Sequence, residues 1–323
     1  MTSRKWMLVV AGCALLTLGL AACGGDDDDD SGSGSSDTPS GLSGEITIDG
    51  SSTVGPLTER IAEDFQGENP DVRVSVGTSG TSGGFEKFCA GETDINDASR
   101  AIESTEKKAC ADGGVEYEEV QVALDALTVV VNTENPVTCM TVDQLSEVWN
   151  KGSTIDSWDQ IQDLDADYSE SLDLYGPGTD SGTFDYFTEA INGEEGVQRT
   201  DYNNVGEDDN ATVTGVEGSP GGMGYFGFSF YQENAEALKA LEVDGGDGCV
   251  APSEETVQDA TYTPLGRPLF IYPSAEALQD ETVKAFVEYY VDNVNTVATE
   301  IGFIPMTDEQ TTESQDEVAK LGG

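Results

Sequence analysis

The chain has 323 residues, with 63 acidic residues against 14 basic ones and a formal charge of −49, enough length for two α/β lobes or one large domain. That charge makes nucleic acid and anionic membrane surfaces poor partners; it gives solubility, and it resembles proteins adapted to high salt, where a Debye length of about 3 Å at 1 M mutes self-repulsion. There is no histidine, which removes Ser-His-Asp and Cys-His catalysis, histidine metal sites and phosphohistidine chemistry in one step.

In chain order, Arg4 and Lys5 precede an uncharged apolar run over residues 6–22. The run has the length of a signal-peptide core and lacks the flanks of a stable membrane span. It ends in Leu20-Ala21-Ala22-Cys23, which resembles the bacterial lipobox, whose cysteine is lipidated. Residues 1–22 are therefore expected to be a lipoprotein signal, Cys23 the anchor, and residues 23–42, with aspartates at 26–30 and a Ser/Gly stretch, a flexible tether. Export takes two of the basic residues with the signal and none of the acidic ones.

Alternation predicts a strand over residues 44–48, followed by Asp49-Gly50-Ser51-Ser52-Thr53 and a helix with Leu57, Ile61 and Phe65 at a spacing of four. Residues 71–76 form a second strand, with Val72, Val74 and Val76 on one face. It runs into the Gly/Ser/Thr-rich residues 77–84 and a short helix bearing Phe85, Phe88 and Cys89. Residues 124–132 read as a buried apolar strand crossing from a first lobe to a second. Leu172 and Leu174 sit on a further strand, which leads through residues 176–183 to a helix with Phe184, Phe187 and Ile191. Residues 207–210 read as a surface loop before a strand-like, glycine-rich run over 221–230. Residues 264–273 read as the return crossing, and residues 283–297 as a helix with Phe286, Tyr290 and Val294 inward, packing on the first lobe.

Two motifs are decoys. Residues 80–84 match G-x-S-x-G, but without histidine there is no base to activate the serine. Asp163, Asp165 and Asp167 start like a calcium loop, yet Tyr168 stands at the glycine position and Leu174 at the bidentate glutamate position, so the segment reads as an acidic surface loop. No catalytic residue, metal site or cofactor is expected. Cys13 leaves with the signal and Cys23 takes the lipid, so Cys89, Cys110, Cys139 and Cys249 remain, an even number in an exported chain. Of the three connectivities, Cys89–Cys110 as a local clip and Cys139–Cys249 as a longer bridge are expected.

One unit recurs three times: glycine, serine and threonine placed between a strand's carboxyl end and a helix's amino end. Helix N-termini hold unpaired N–H groups and a partial positive charge, so they bind anions without lysines. Glycine lets the anion approach the backbone, and hydroxyls add neutral donors. One such turn alone reads as an ordinary cap; three in one exported chain point to an anion site at the edge where open α/β sheets bind ligands.

The segments GSSTVGPL, TSGTSGGFEKFCAGETDINDASR, YGPGTDSGTFDYF and GMGYFGF follow one another in the order seen in PstS-type phosphate-binding proteins, and the resemblance runs from about Gly44 to the C-terminus. It implies an α/β, two-lobed periplasmic-binding-protein fold, with lobe 1 from 43–127 and 265–323, lobe 2 from 128–264, two hinge crossings and phosphate held between the lobes. It also implies a monomer that docks on the membrane permease of an ABC importer and touches the membrane only through its anchor. Carried over, Ser52 and Thr53 serve from the first helix, Ser79, Gly80 and Thr81 from the second, and Ser181, Gly182 and Thr183 from the third. In the family an aspartate of the first lobe accepts the proton of hydrogen phosphate and an arginine supplies charge; here Asp97 or Ser99, with Arg100, is expected in those roles. Where some members carry an arginine four residues before the SGT serine, this chain has Pro177, and Asp180, Asp208 or Asp209 are alternative acceptors. Asp97→Asn is then expected to relax discrimination against sulfate. Sulfate or molybdate binding, and phosphate sensing or scavenging without a transporter, are the alternatives.

Overall fold

Alternating apolar residues set the first layer: Ile46 and Ile48 of β1 (Gly44–Gly50) are buried, and Leu57, Ile61 and Phe65 turn one face of α1 (Gly55–Glu68) onto them. The computed structural model describes residues 41–321; the signal, the lipidation expected at Cys23 and nearly all of the tether lie outside them. After α1 come β2 (Val72–Val76), α2 (Thr81–Cys89), β3 (Ile95–Ala98) and α3 (Ser104–Gly113). The 13-residue β4 (Val120–Asn132) follows, buried along almost its whole length as its apolar run predicts.

Next in order are β5 (Cys139–Thr141), α4 (Val142–Trp149), β6 (Asp173–Gly176), α5 (Gly182–Asn192), β7 (Asn203–Asn204) and α6 (Asp209–Gly218). Then come β8 (Gly222–Gly227), α7 (Phe228–Asn234), β9 (Leu238–Ala240), β10 (Glu242–Asp244), β11 (Cys249–Val250) and α8 (Glu254–Gln258). The chain ends with β12 (Gly266–Pro273), α9 (Glu281–Glu300) and α10 (Asp308–Leu321). The glycine-rich run expected over 221–230 is a strand only to Gly227, because Phe228 opens α7.

Nine strands form one mixed sheet in the order β2-β1-β3-β12-β4-β8-β6-β7, with β9 also on β4. β4 is shared between two neighbourhoods. Its first part pairs antiparallel with β12, from Ala126↔Gly266 to Val120↔Ile271, and its last part with β8 and β9. β12 in turn pairs with β3. β4 and β12, the two segments read from sequence as crossings, thus lie side by side at the centre of the sheet. α9 lays Phe286, Tyr290 and Val294 against the core, with the Phe65 and Phe286 rings 5.3 Å apart.

Both expected disulfides are present. Cys89–Cys110 fastens α2 to α3, and Cys139–Cys249 closes the small sheet β11-β10-β5 across a separation of 110 residues. The acidic segment around Asp163–Glu170 has no regular structure. It is fixed at its edges, Asp165 accepting from the Thr138 amide and the Tyr168 hydroxyl donating to the Pro220 carbonyl at 2.7 Å. No helix among the described residues is long and apolar enough to cross a membrane.

Candidate functional site

All three glycine-serine-threonine turns arrive at one cavity of about 370 Å³. Its wall includes Ser51, Ser52 and Thr53 before α1, the run from Thr78 to Gly83 at the start of α2, Ser99 and Arg100 after β3, and Gly182 on the first turn of α5. The strand order explains the convergence. β1, β3 and β2 are parallel neighbours, so their carboxyl ends and the turns that follow share one edge. From the other side, a β-carbon built on Gly182 would lie 3.6 Å from Thr53 Oγ1 and 3.8 Å from Ser52 Oγ, so α5 opens directly against the Ser52–Thr53 turn.

Each turn is held by its own bonds. Ser51 Oγ accepts from the Thr53 and Val54 amides, and the Ser51 amide donates to the Asp97 carbonyl at 2.9 Å. Gly80 caps α2 at φ +81°, a backbone region in which a side chain is strained, and its amide donates to the Gly50 carbonyl at 2.9 Å. The first-turn amides of α2 and α5 have no helical carbonyl to bond. In α1, Pro56 has no N–H and the Gly55 and Leu57 amides donate to the Ser51 and Val54 carbonyls, so α1 adds its dipole rather than free donors to the partial positive charge at the cavity. Ser79 is committed elsewhere: its hydroxyl and its amide both donate to Asp49, which also binds Lys87 Nζ at 2.5 Å. Burial alone would raise the Asp49 carboxyl; the Lys87 and Ser79 bonds outweigh it and hold the group below its usual value.

The structure takes Asp97 away from the cavity. All four residues of β3 are buried, and Asp97 has no exposed surface, neither carboxyl oxygen accepting a hydrogen bond among the described residues. Burial pushes it up to about 8, offset in part by the nearby Thr58 hydroxyl and reinforced by Asp49 and Glu59. Asp97 therefore keeps its proton at pH 7, and it lies off the cavity wall. Ser181 is buried as the residue before α5 and Thr183 lies off the cavity wall, leaving Gly182 as that segment's lining residue. Asp180, Asp208 and Asp209 also lie off the wall. Asp209 is pushed up to about 6 by burial, then by Glu207 and Asp208.

Arg100 does face the cavity, yet its guanidinium is already engaged. Nη1 and Nη2 hold the two Glu106 oxygens at 2.9 Å each, Nη2 also donates to Ser82 Oγ, and Glu103 lies 3.6 Å from Nε. Arg267, read from sequence only as part of the return crossing, is the cation with a free edge. Its Nε and Nη2 bind Asp125 Oδ2 at 3.3 and 3.2 Å, and Nη2 also donates to Thr53 Oγ1 at 3.0 Å. Nη1 has no acceptor among the described residues, and the side chain lines the cavity with 11% of its surface exposed. Three carboxylates, Asp185, Glu189 and Glu195, and the Tyr186 side chain complete the wall. Asp185 makes no side-chain hydrogen bond or ion pair among the described residues. Burial holds it above the ordinary aspartate value, Arg267 pulling it down and Glu189 pushing it up.

Hydroxyls, helix N-termini and a guanidinium edge around a small polar cavity define a binding site for a compact oxyanion. The family profile described as a PBP superfamily domain matches residues 35–294. Protein SphX of Synechocystis sp. is 45% identical over 300 residues, 92% of this chain and 84% of that one. Phosphate-binding protein PstS of Staphylococcus saprophyticus is 36% identical over 325 residues, 99% of this chain and 96% of that one. The crystal structure of a possible phosphate binding protein from Planctomyces limnophilus aligns with a TM-score of 0.82 at 40% identity, covering 87% of this chain and 99% of that one. The chain belongs to the PBP superfamily and, within it, to the family that carries the names PstS and SphX.

Proposed function

We propose that this chain is an extracytoplasmic, non-catalytic solute-binding protein that captures inorganic phosphate and delivers it to the permease of an ABC importer. The observation that carries the reading is the open Nη1 edge of Arg267, set among hydroxyls and three helix N-termini in one cavity. The names of the relatives support phosphate as the ligand, and two disulfides support an oxidising compartment outside the cytoplasm. Anchoring through lipid on Cys23 belongs to the same proposal, as does docking of the closed form on the permease.

The two lobes of this reading are residues 43–127 with 265–323, and residues 128–264, with the neighbouring β4 and β12 as the hinge. Ser52, Thr53, Gly80, Thr81, Ser99, Arg100 and Gly182 contribute donors or close backbone approach, and Arg267 contributes the main charge. The carboxylate that reads the ligand's proton is Asp185 rather than Asp97. An unpaired carboxylate repels a fully ionised sulfate in a dry cleft but accepts a hydrogen bond from hydrogen phosphate. Thermal unfolding across a panel of phosphate, sulfate, molybdate and nitrate tests the reading, since a ligand of the native state stabilises by RT ln(1 + [L]/Kd). A shift with phosphate at micromolar concentration is expected; a shift with sulfate or molybdate alone removes the phosphate assignment.

A further inference from the structure

Arg267 is useful to an anion only if its guanidinium is held with the free edge toward the cavity, and a long arginine side chain does not hold itself. Two of its nitrogens are fixed on one edge by Asp125 and Thr53. Those bonds all lie on the Nε–Nη2 side, so they set one edge and leave rotation about that edge unopposed. A planar group needs a contact on its face as well. The face is covered by Tyr186, whose ring centroid lies 3.4 Å from Arg267 Cζ. Tyr186 is buried, and its hydroxyl donates to the Pro264 carbonyl at 3.0 Å, which fixes the ring from its far end.

We infer that Tyr186 is a positioning residue for anion capture, its ring clamping the Arg267 guanidinium so that the Nη1 edge faces the ligand. The contact joins separate parts of the chain. Tyr186 stands on α5, Arg267 on β12, Asp125 on β4 and Thr53 before α1, so the plane of the guanidinium is set by four elements at once. The ring carries no donor to the anion; it acts through Arg267 by stacking and by the attraction of a cation to an aromatic face. This inference rests on the cavity being a phosphate site, and it adds a residue that the glycine-serine-threonine turns do not announce.

The test is a double-mutant cycle on the full chain, with phosphate affinity read by titration calorimetry and folding checked by thermal unfolding without phosphate. Tyr186→Leu is expected to weaken phosphate binding about tenfold, while Tyr186→Phe, which keeps the ring and loses only the Pro264 bond, stays within about twofold of wild type. In an Arg267→Gln background, Tyr186→Leu is expected to change affinity by less than about twofold, because the ring then has no guanidinium to hold. Equal weakening by Tyr186→Leu with and without Arg267 overturns the inference, as does a Phe variant as weak as the Leu variant. Wild-type protein that binds no phosphate overturns the phosphate reading instead, and that result is visible before any variant is made.

Discussion

Asp97→Asn separates a buried structural carboxyl from a ligand-binding one. A group raised from 3.8 to about 8 in the folded chain keeps its proton over a pH range in which the unfolded chain has lost it. Native protein therefore binds more protons than unfolded protein between about pH 4 and 8, and stability falls as pH rises through that window. At about 1.4 kcal/mol per pH unit the loss is on the order of 5 kcal/mol by pH 8. Asparagine does not titrate, but it places an amide donor in a site where the carboxyl oxygens have no hydrogen-bond partner, a cost of about 1–3 kcal/mol. The variant should thus be the less stable protein near pH 4, match wild type near about pH 5, and exceed it by about 3 kcal/mol at pH 8. Urea unfolding of both proteins from pH 4 to 8.5 measures the difference, and comparing them cancels the many other carboxylates. Parallel stability curves would refute the buried, protonated Asp97. The same variant should keep wild-type discrimination against sulfate, the reverse of what the DINDASR segment suggests when read alone.

Arg267→Gln should weaken phosphate binding by about 2–5 kcal/mol, and Arg100→Ala by less, because Glu106 already occupies the Arg100 fork; calorimetry ranks the two. Asp185→Asn should raise sulfate affinity relative to phosphate by at least about tenfold, and unchanged discrimination would remove Asp185 from the role. Replacing both Cys139 and Cys249 by serine should cost about 4–5 kcal/mol, against about 3 kcal/mol for the Cys89–Cys110 pair, since the longer bridge closes 110 residues rather than 21. Denaturant midpoints of the two double variants decide it.

Patterns that repeat locally were legible in the sequence. The three turns needed only their own residues to be seen, and so did the buried faces of α1 and α9 and the apolar length of β4. The placement of Asp97 was not legible, because the sequence around it does not say where β3 ends. Ser99 and Arg100 lie just beyond the strand and face the cavity, while Asp97, two residues earlier, is still inside the strand and buried. Arg267 escaped for a different reason: its meaning comes from register. It stands opposite Asp125 only because β12 pairs antiparallel with β4, across 142 residues of chain. A signal was present all the same. Asp125 interrupts the apolar run that became β4 and Arg267 interrupts the one that became β12, and opposite charges buried in two apolar strands ask to be paired.

The helix N-termini at the cavity have a consequence for descent. An amide at Thr81 or Gly182 belongs to the peptide bond, so every residue but proline that replaces either one supplies the same donor. Point mutation has little power to delete that part of the site, whereas the charges of Asp185, Glu189, Glu195 and Arg267 each depend on a single codon. Lineages carrying this fold are therefore free to change which oxyanion they prefer while keeping the capacity to hold one, and differences between relatives should gather in the charged ring before they reach the turns.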